Sequence, residues 1–119
     1  LIPQIPVELK NYLNRANGFN QSECYQDDRG FNFWPLEKYC EVNTYEGGKF
    51  HFSGDCCYFI FCDYLDFSWG YAICLKPGRK EGEVALIGTQ DSVPVCIASN
   101  FAEFAAAYML DSERLYPSK

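Results

Sequence analysis

Tyr58 to Leu75 reads YFIFCDYLDFSWGYAICL, and this stretch decides the fold. In its second half the odd positions are Phe67, Trp69, Tyr71, Ile73 and Leu75, and the even ones are Ser68, Gly70, Ala72 and Cys74. Strict alternation with period two marks a strand, here with large side chains on one face and small ones on the other. The large face predicts a core, and the small face lets another layer come close. The first half, Tyr58 to Cys62, is aromatic or β-branched on both faces, as an interior strand requires. Asp63-Tyr64-Leu65-Asp66 lies between the halves and is short enough to join them antiparallel. The stretch predicts a buried central hairpin with Asp63 and Asp66 as turn-forming acids at its tip.

Working outward toward the N-terminus, Pro6 suits the first turn of a helix, and Leu9, Tyr12, Leu13 and Ala16 follow at i, i+3, i+4 and i+7. Gly18 stands where a left-handed cap is wanted, so a helix is expected over about 6–17. Residues 19–29 read as a turn-rich loop and Phe31–Trp34 as a short strand. Pro35 to Tyr39 is expected to make a helical turn, Glu41 to Lys49 a polar loop, and Phe50–Phe52 a further extended piece. Toward the C-terminus, Lys76-Pro77-Gly78-Arg79 is a turn, with strands expected at Glu83–Ile87 and Pro94–Ala98. Asn100 then caps a second helix, with Glu103 as its capping-box partner and Phe101, Phe104, Ala105, Tyr108 and Met109 as the apolar stripe. Asp111 to Tyr116 is expected to fold back. The fold class is α+β: one domain over 1–119, a largely antiparallel sheet with a central hairpin, and a helix at either end.

A chain of 119 residues with 18% aromatics has enough apolar surface to exclude disorder. No apolar run reaches the ~20 residues of a membrane span, because Asp63 and Asp66 break the longest. A basic segment followed by an apolar one is absent from the first residues, so no signal peptide is read there. Seven cysteines are an odd number, no C-x-x-C pair occurs, and His51 is the single histidine. Both a disulfide framework and a zinc site are therefore disfavoured, and reduced cysteines in a cytoplasmic protein are expected.

The net charge of −6 argues against nucleic acid as a partner. Residues 23–66 hold nine acids (Glu23, Asp27, Asp28, Glu37, Glu41, Glu46, Asp55, Asp63 and Asp66) against three bases (Arg29, Lys38 and Lys49), while the remainder is balanced at seven each. The whole surplus lies in that window. Asp27, Asp28, Glu41, Glu46, Asp55, Asp63 and Asp66 are the candidate partner-binding residues, on loops that folding should leave at the surface.

Catalytic arrangements are weak by comparison. Cys57 and His51, with Cys56 and Asp55 beside them, superficially offer a nucleophile and a base, but nothing in the spacing makes them converge. Asp63 and Asp66 as an acid/base pair read better as turn residues. Gly47-Gly48 lacks the setting of a phosphate loop. Trp34 and Trp69 lie on alternating strands and read as core. No catalytic residue, metal or cofactor is expected.

Four segments, PVELKNYLNRANG, FNFWPLEKY, YFIFCDYLDFSWGYAI and PVCIASNFAEFAAAYML, resemble in order those of the SUKH superfamily. That group unites a fungal cell-wall-synthesis regulator with many bacterial immunity proteins. The matching positions are Asn17-Gly18, Trp34, Leu36, Asp63-Tyr64, Tyr71, Phe101 and Phe104. Two features depart from the pattern: a further helix before the FNFWPLEKY segment is missing, and Ala105-Ala106-Ala107 stands where a bulkier residue is common. The resemblance implies a non-enzymatic α+β module that binds and neutralises a toxin domain. An intracellular scaffold of the same fold, and a small cysteine hydrolase using Cys57 and His51, are the alternatives. A protein partner is expected, a basic toxin domain, with no nucleic acid and no membrane.

Overall fold

The computed structural model describes residues 25–26, 29–35, 38–47, 58–65, 67–76, 78–88 and 95–117. Seven strands in it form one antiparallel sheet: β1 (Tyr25–Gln26), β2 (Phe31–Phe33), β3 (Cys40–Glu41), β4 (Tyr58–Tyr64), β5 (Trp69–Cys74), β6 (Val84–Ile87) and β7 (Val95–Ala98). A helix, α1 (Phe101–Met109), and two 3-10 segments, Val42–Gly47 and Glu113–Leu115, accompany the sheet. The strand order is β1-β2-β4-β5-β6-β7, with β3 also paired to β4. This is an α+β arrangement built on the expected hairpin. The expected helix at 6–17 and extended piece at 50–52 lie outside the described residues.

β4 is the axis of the sheet. On one edge it pairs with β5 from Tyr58↔Cys74 to Tyr64↔Trp69. The other edge is shared by β2, in register Phe31↔Tyr64 to Phe33↔Cys62, and β3, in register Cys40↔Ile60 and Glu41↔Phe59. Between these two strands the Trp34 N–H still donates to the Phe61 carbonyl at 2.9 Å. The chain then leaves the edge at Pro35, which has no N–H for a ladder. Lys38 N–H closes a turn onto the Pro35 carbonyl at 2.9 Å.

The register between β4 and β5 shifts between Ile60 and Cys62, leaving Phe61 as the extra residue of a β-bulge. Before the bulge, Phe59 shares a face with Ile73, while Tyr58 and Ile60 share the other with Cys74 and Ala72. Past it the parity switches. Cys62 and Tyr64 now lie with Tyr71 and Trp69, and Asp63 stands opposite Gly70 on the small-residue face.

Each face buries its own cluster. The large-residue face packs Phe31, Phe61, Tyr71, Ile73 and Leu75 against Phe101, Phe104 and Ala107 of α1 and against Leu115. The small-residue face buries Val42, Ile60, Ala72 and Ile87, ringed by Trp34, Tyr45, Tyr58 and Phe67. Phe67 is a correction, because alternation placed it on the large face. It sits in the Leu65–Ser68 loop at φ 63°, and its ring turns back over Gly70. Strand β5 starts only at Trp69 and β4 runs on through Tyr64, so Asp63 is a strand residue rather than a tip residue. Gly30, at φ +106°, backs the same loop: a Cβ there would lie 2.7 Å from Leu65 Cδ2.

Two other expectations need correcting. The polar loop over Glu41–Lys49 begins with a strand residue, and Val42, fully buried, opens a 3-10 segment. Met109 is 79% exposed rather than part of the stripe of α1, whose buried side chains are Phe101, Phe104 and Ala107. The helix ends there as Asp111 takes φ 52°. The cap holds as read: Asn100 Oδ1 accepts from Glu103 N–H at 2.8 Å, although Glu103 Oε1 reaches the N–H of Ser99, at 2.9 Å.

The tail does fold back. Trp69 Nε1–H donates to the Tyr71 hydroxyl at 2.9 Å, which donates to the Leu115 carbonyl at 2.6 Å. Tyr116 sets its ring edge-on to Phe31, Tyr64 and Trp69. Arg29 closes the other side, donating to the Tyr108 carbonyl at 2.9 Å and pairing with Asp111 at 3.0 Å. Its guanidinium lies 4.3 Å from the Tyr108 ring centroid, within cation–π range.

Two predictions follow from this packing. A Cβ on Gly70 would meet Phe67 Cζ at 2.6 Å and the Cys62 carbonyl at 3.3 Å. Gly70→Ala is therefore expected to cost about 1–3 kcal/mol in urea denaturation, with a smaller cost in a Phe67→Ala background. An additive double mutant would show that the two do not meet. Cys62 and Cys74 are buried, while Cys96 is exposed. Residue-resolved alkylation should label Cys96 in native protein and reach Cys62 and Cys74 only on unfolding.

Candidate partner-binding surface

Asp63 is the polar centre of the small-residue face. The bulge turns it there, 6% exposed, and three donors from the surrounding chain converge on it. Its Oδ2 accepts from Trp34 Nε1–H at 2.8 Å and Asn32 Nδ2–H at 3.0 Å, and its Oδ1 from Phe67 N–H at 3.2 Å. Neither ion pair resolved among the described residues involves it, so its charge is held by these donors. The knot joins β2, the residue after it, β4 and the hairpin loop.

Over it lies an aromatic patch. Tyr45 and Phe67 stack with centroids 5.3 Å apart, and Trp34 stands 6.0 Å from Tyr45 and 6.3 Å from Phe67. All three rings are half-buried. Trp34 keeps its indole N–H inward on Asp63, which leaves part of the ring's carbon surface toward solvent. Half-exposed Trp and Tyr rings on a rigid frame are the side chains that anchor protein interfaces.

Of the seven acids expected to bind a partner, Asp27, Asp28, Asp55 and Asp66 lie outside the described residues. Glu46 falls within the 3-10 segment, and Glu41, half-buried, is on β3 opposite Phe59, so it belongs to the face away from the patch. Asp63 is corrected in position: it is buried beneath Trp34 rather than left at the surface. Trp34, Tyr45 and Phe67 were missed as surface features, since alternation reads Trp34 and Phe67 as core. Tyr45 carried no signal beyond being aromatic in a polar stretch. The Cys57 and His51 pair also lies outside the described residues.

Other titratable groups are arranged against ionisation. Burial raises the Tyr71 phenol above its ordinary value, and burial with a hydrogen bond to Glu83 at 2.6 Å does the same for Tyr58. Burial, then the hydrogen bond to Asp111, pushes Tyr116 up to about 12. The Cys96 thiol is pushed up by desolvation and by the Glu83 charge, the opposite of an activated nucleophile. Among the described residues no group of His, Cys, Asp and Glu could hold a metal ion, and no helix is long and apolar enough to cross a membrane.

An α+β domain with a half-exposed aromatic patch over a buried carboxylate is a candidate binding module. No family model matches the chain, and no curated protein or solved structure is significantly similar to it.

The Asp63 knot gives a direct expectation. Asp63→Ala strands three buried donors and should cost roughly 3–5 kcal/mol in chemical denaturation, whereas Trp34→Phe removes one and should cost about 1–2 kcal/mol. A loss below about 1 kcal/mol for Asp63→Ala would show the carboxylate to be solvated.

Proposed function

We propose that this chain is a non-enzymatic binding module that occludes a basic toxin domain, as the bacterial immunity proteins it resembles do. The observation that carries this reading is the charge asymmetry: the entire surplus of −6 falls in residues 23–66. Two structural facts sharpen it. Arg29, one of only three bases in that window, engages Asp111, an acid from outside it. Asp63 is withdrawn into the sheet, where it positions Trp34 at the surface. An acidic stretch of chain and half-exposed aromatic rings each suit Lys and Arg side chains, by Coulomb attraction and by cation–π contact. Toxins that attack nucleic acid carry basic surfaces for phosphate, so an acidic face can cover such a surface.

The test is reversal of Asp27, Asp28, Glu41 and Glu46 to Lys, with association to the product of the neighbouring gene followed by stopped flow. At low salt the reversed protein should associate at least about tenfold more slowly. The gap should close as the Debye length falls from about 10 Å at 0.1 M to about 3 Å at 1 M. Equal rates at low salt would remove the acidic surface as the docking face.

A further inference from the structure

We infer that the outer edge of β7 is a homotypic docking strand, taking the same strand of a second copy of this chain antiparallel across a two-fold axis. β7 ends the sheet order: its inner edge pairs with β6, in register Val84↔Ala98 and Leu86↔Val95, and no strand lies on its outer edge among the described residues. An unpaired edge offers N–H and C=O groups to any extended chain, and proteins blunt such edges with Lys or inward charges. β7 reads VCIA, without a charge, and Val95 is 50% exposed with Cys96 exposed beside it.

Charge selects the occupant. The acidic surplus lies wholly in residues 23–66, and the rest of the chain, β7 included, is balanced. A basic partner gains nothing from this edge. Two copies, each at −6, repel through their acidic sectors and can approach where local charge is absent. Among the described residues the carboxylates acting on Cys96 are engaged: Glu83 accepts from Tyr58, and Glu103 pairs with Arg114 at 3.3 Å. Pairing β7 with itself is isologous and closes as a dimer, continuing one sheet through both molecules. The four-residue length of β7 keeps the contact short. The buried area then falls below the ~1,200 Å² of a standard interface, and association in the micromolar range is expected.

The salt dependence has the opposite sign from docking on a basic partner. Screening weakens attraction between unlike charges, but it relieves repulsion between two acidic copies. The test is sedimentation velocity of the full chain from micromolar to hundreds of micromolar protein, at about 20 mM and about 500 mM salt. A dimer should grow with concentration and with salt. Val95→Lys should raise its dissociation constant at least about tenfold, with thermal unfolding unchanged. Independently of any folding defect in that variant, a bis-maleimide should join two native chains at Cys96, and the product should vanish in Cys96→Ser. A monomer at every concentration, a dimer that survives Val95→Lys or one that salt weakens overturns the proposal. So does a monomeric wild type whose binding to a foreign protein is lost on Val95→Lys, which would assign the edge to that protein.

Discussion

The single extra residue at Phe61 governs the rest of the structure. Without it, β4 would present Phe59, Phe61, Asp63 on one face and Ile60, Cys62, Tyr64 on the other. Asp63 would then project into the cluster under α1, away from the Asn32 amide and the Trp34 indole. A charged carboxylate there would cost several kcal/mol. With the bulge, Phe61 and Cys62 both serve the larger core, Tyr64 stacks on Trp69 with centroids 4.7 Å apart, and Asp63 meets its donors. One local irregularity thus divides the sheet into a dry face, sealed by α1 and the tail, and a face whose centre is polar.

That division connects fold to surface. Gly70 leaves the space that the Phe67 ring occupies over the sheet, and Phe67 in turn stacks on Tyr45. Trp34 is fixed from below by its hydrogen bond, so its ring gains little freedom to lose when something packs on it. A patch held in this way is preordered, which lowers the entropic cost of binding. The long-range polar links, from Arg29 to the end of α1 and from Tyr71 to Leu115, close the opposite face by different means.

Much of this was legible in the sequence, and the failures share a cause. Alternation in Trp69–Cys74 reads directly as β5 because pairing there is regular, and the capping of α1 by Asn100 is a local event that local residues encode. The bulge is invisible to alternation, since parity switches only when β4 is measured against β5, and so Asp63 was read as a tip residue. Phe67 failed because its position depends on a left-handed φ that no periodicity reports. Val42 failed because a lone apolar residue in a polar run looks like a loop until Ile60 is brought beside it. Met109 fits the spacing of the stripe, but it is the last residue of a nine-residue helix and stays exposed. The sequence localises the charge surplus, but it could not show that one of those acids faces inward.

β2 reads Phe31-Asn32-Phe33, and its two phenylalanines are interchangeable as far as burial is concerned. Sliding the strand by two residues along β4 would keep every apolar side chain on its proper face, so hydrophobic burial alone leaves that alignment degenerate. Asn32 breaks the tie. Only in the observed alignment does its amide meet Asp63, and any slip removes a donor from a carboxylate that is only 6% exposed. The buried polar pair therefore acts as an error check on assembly, adding little to the depth of the native well while raising the energy of its nearest competitors.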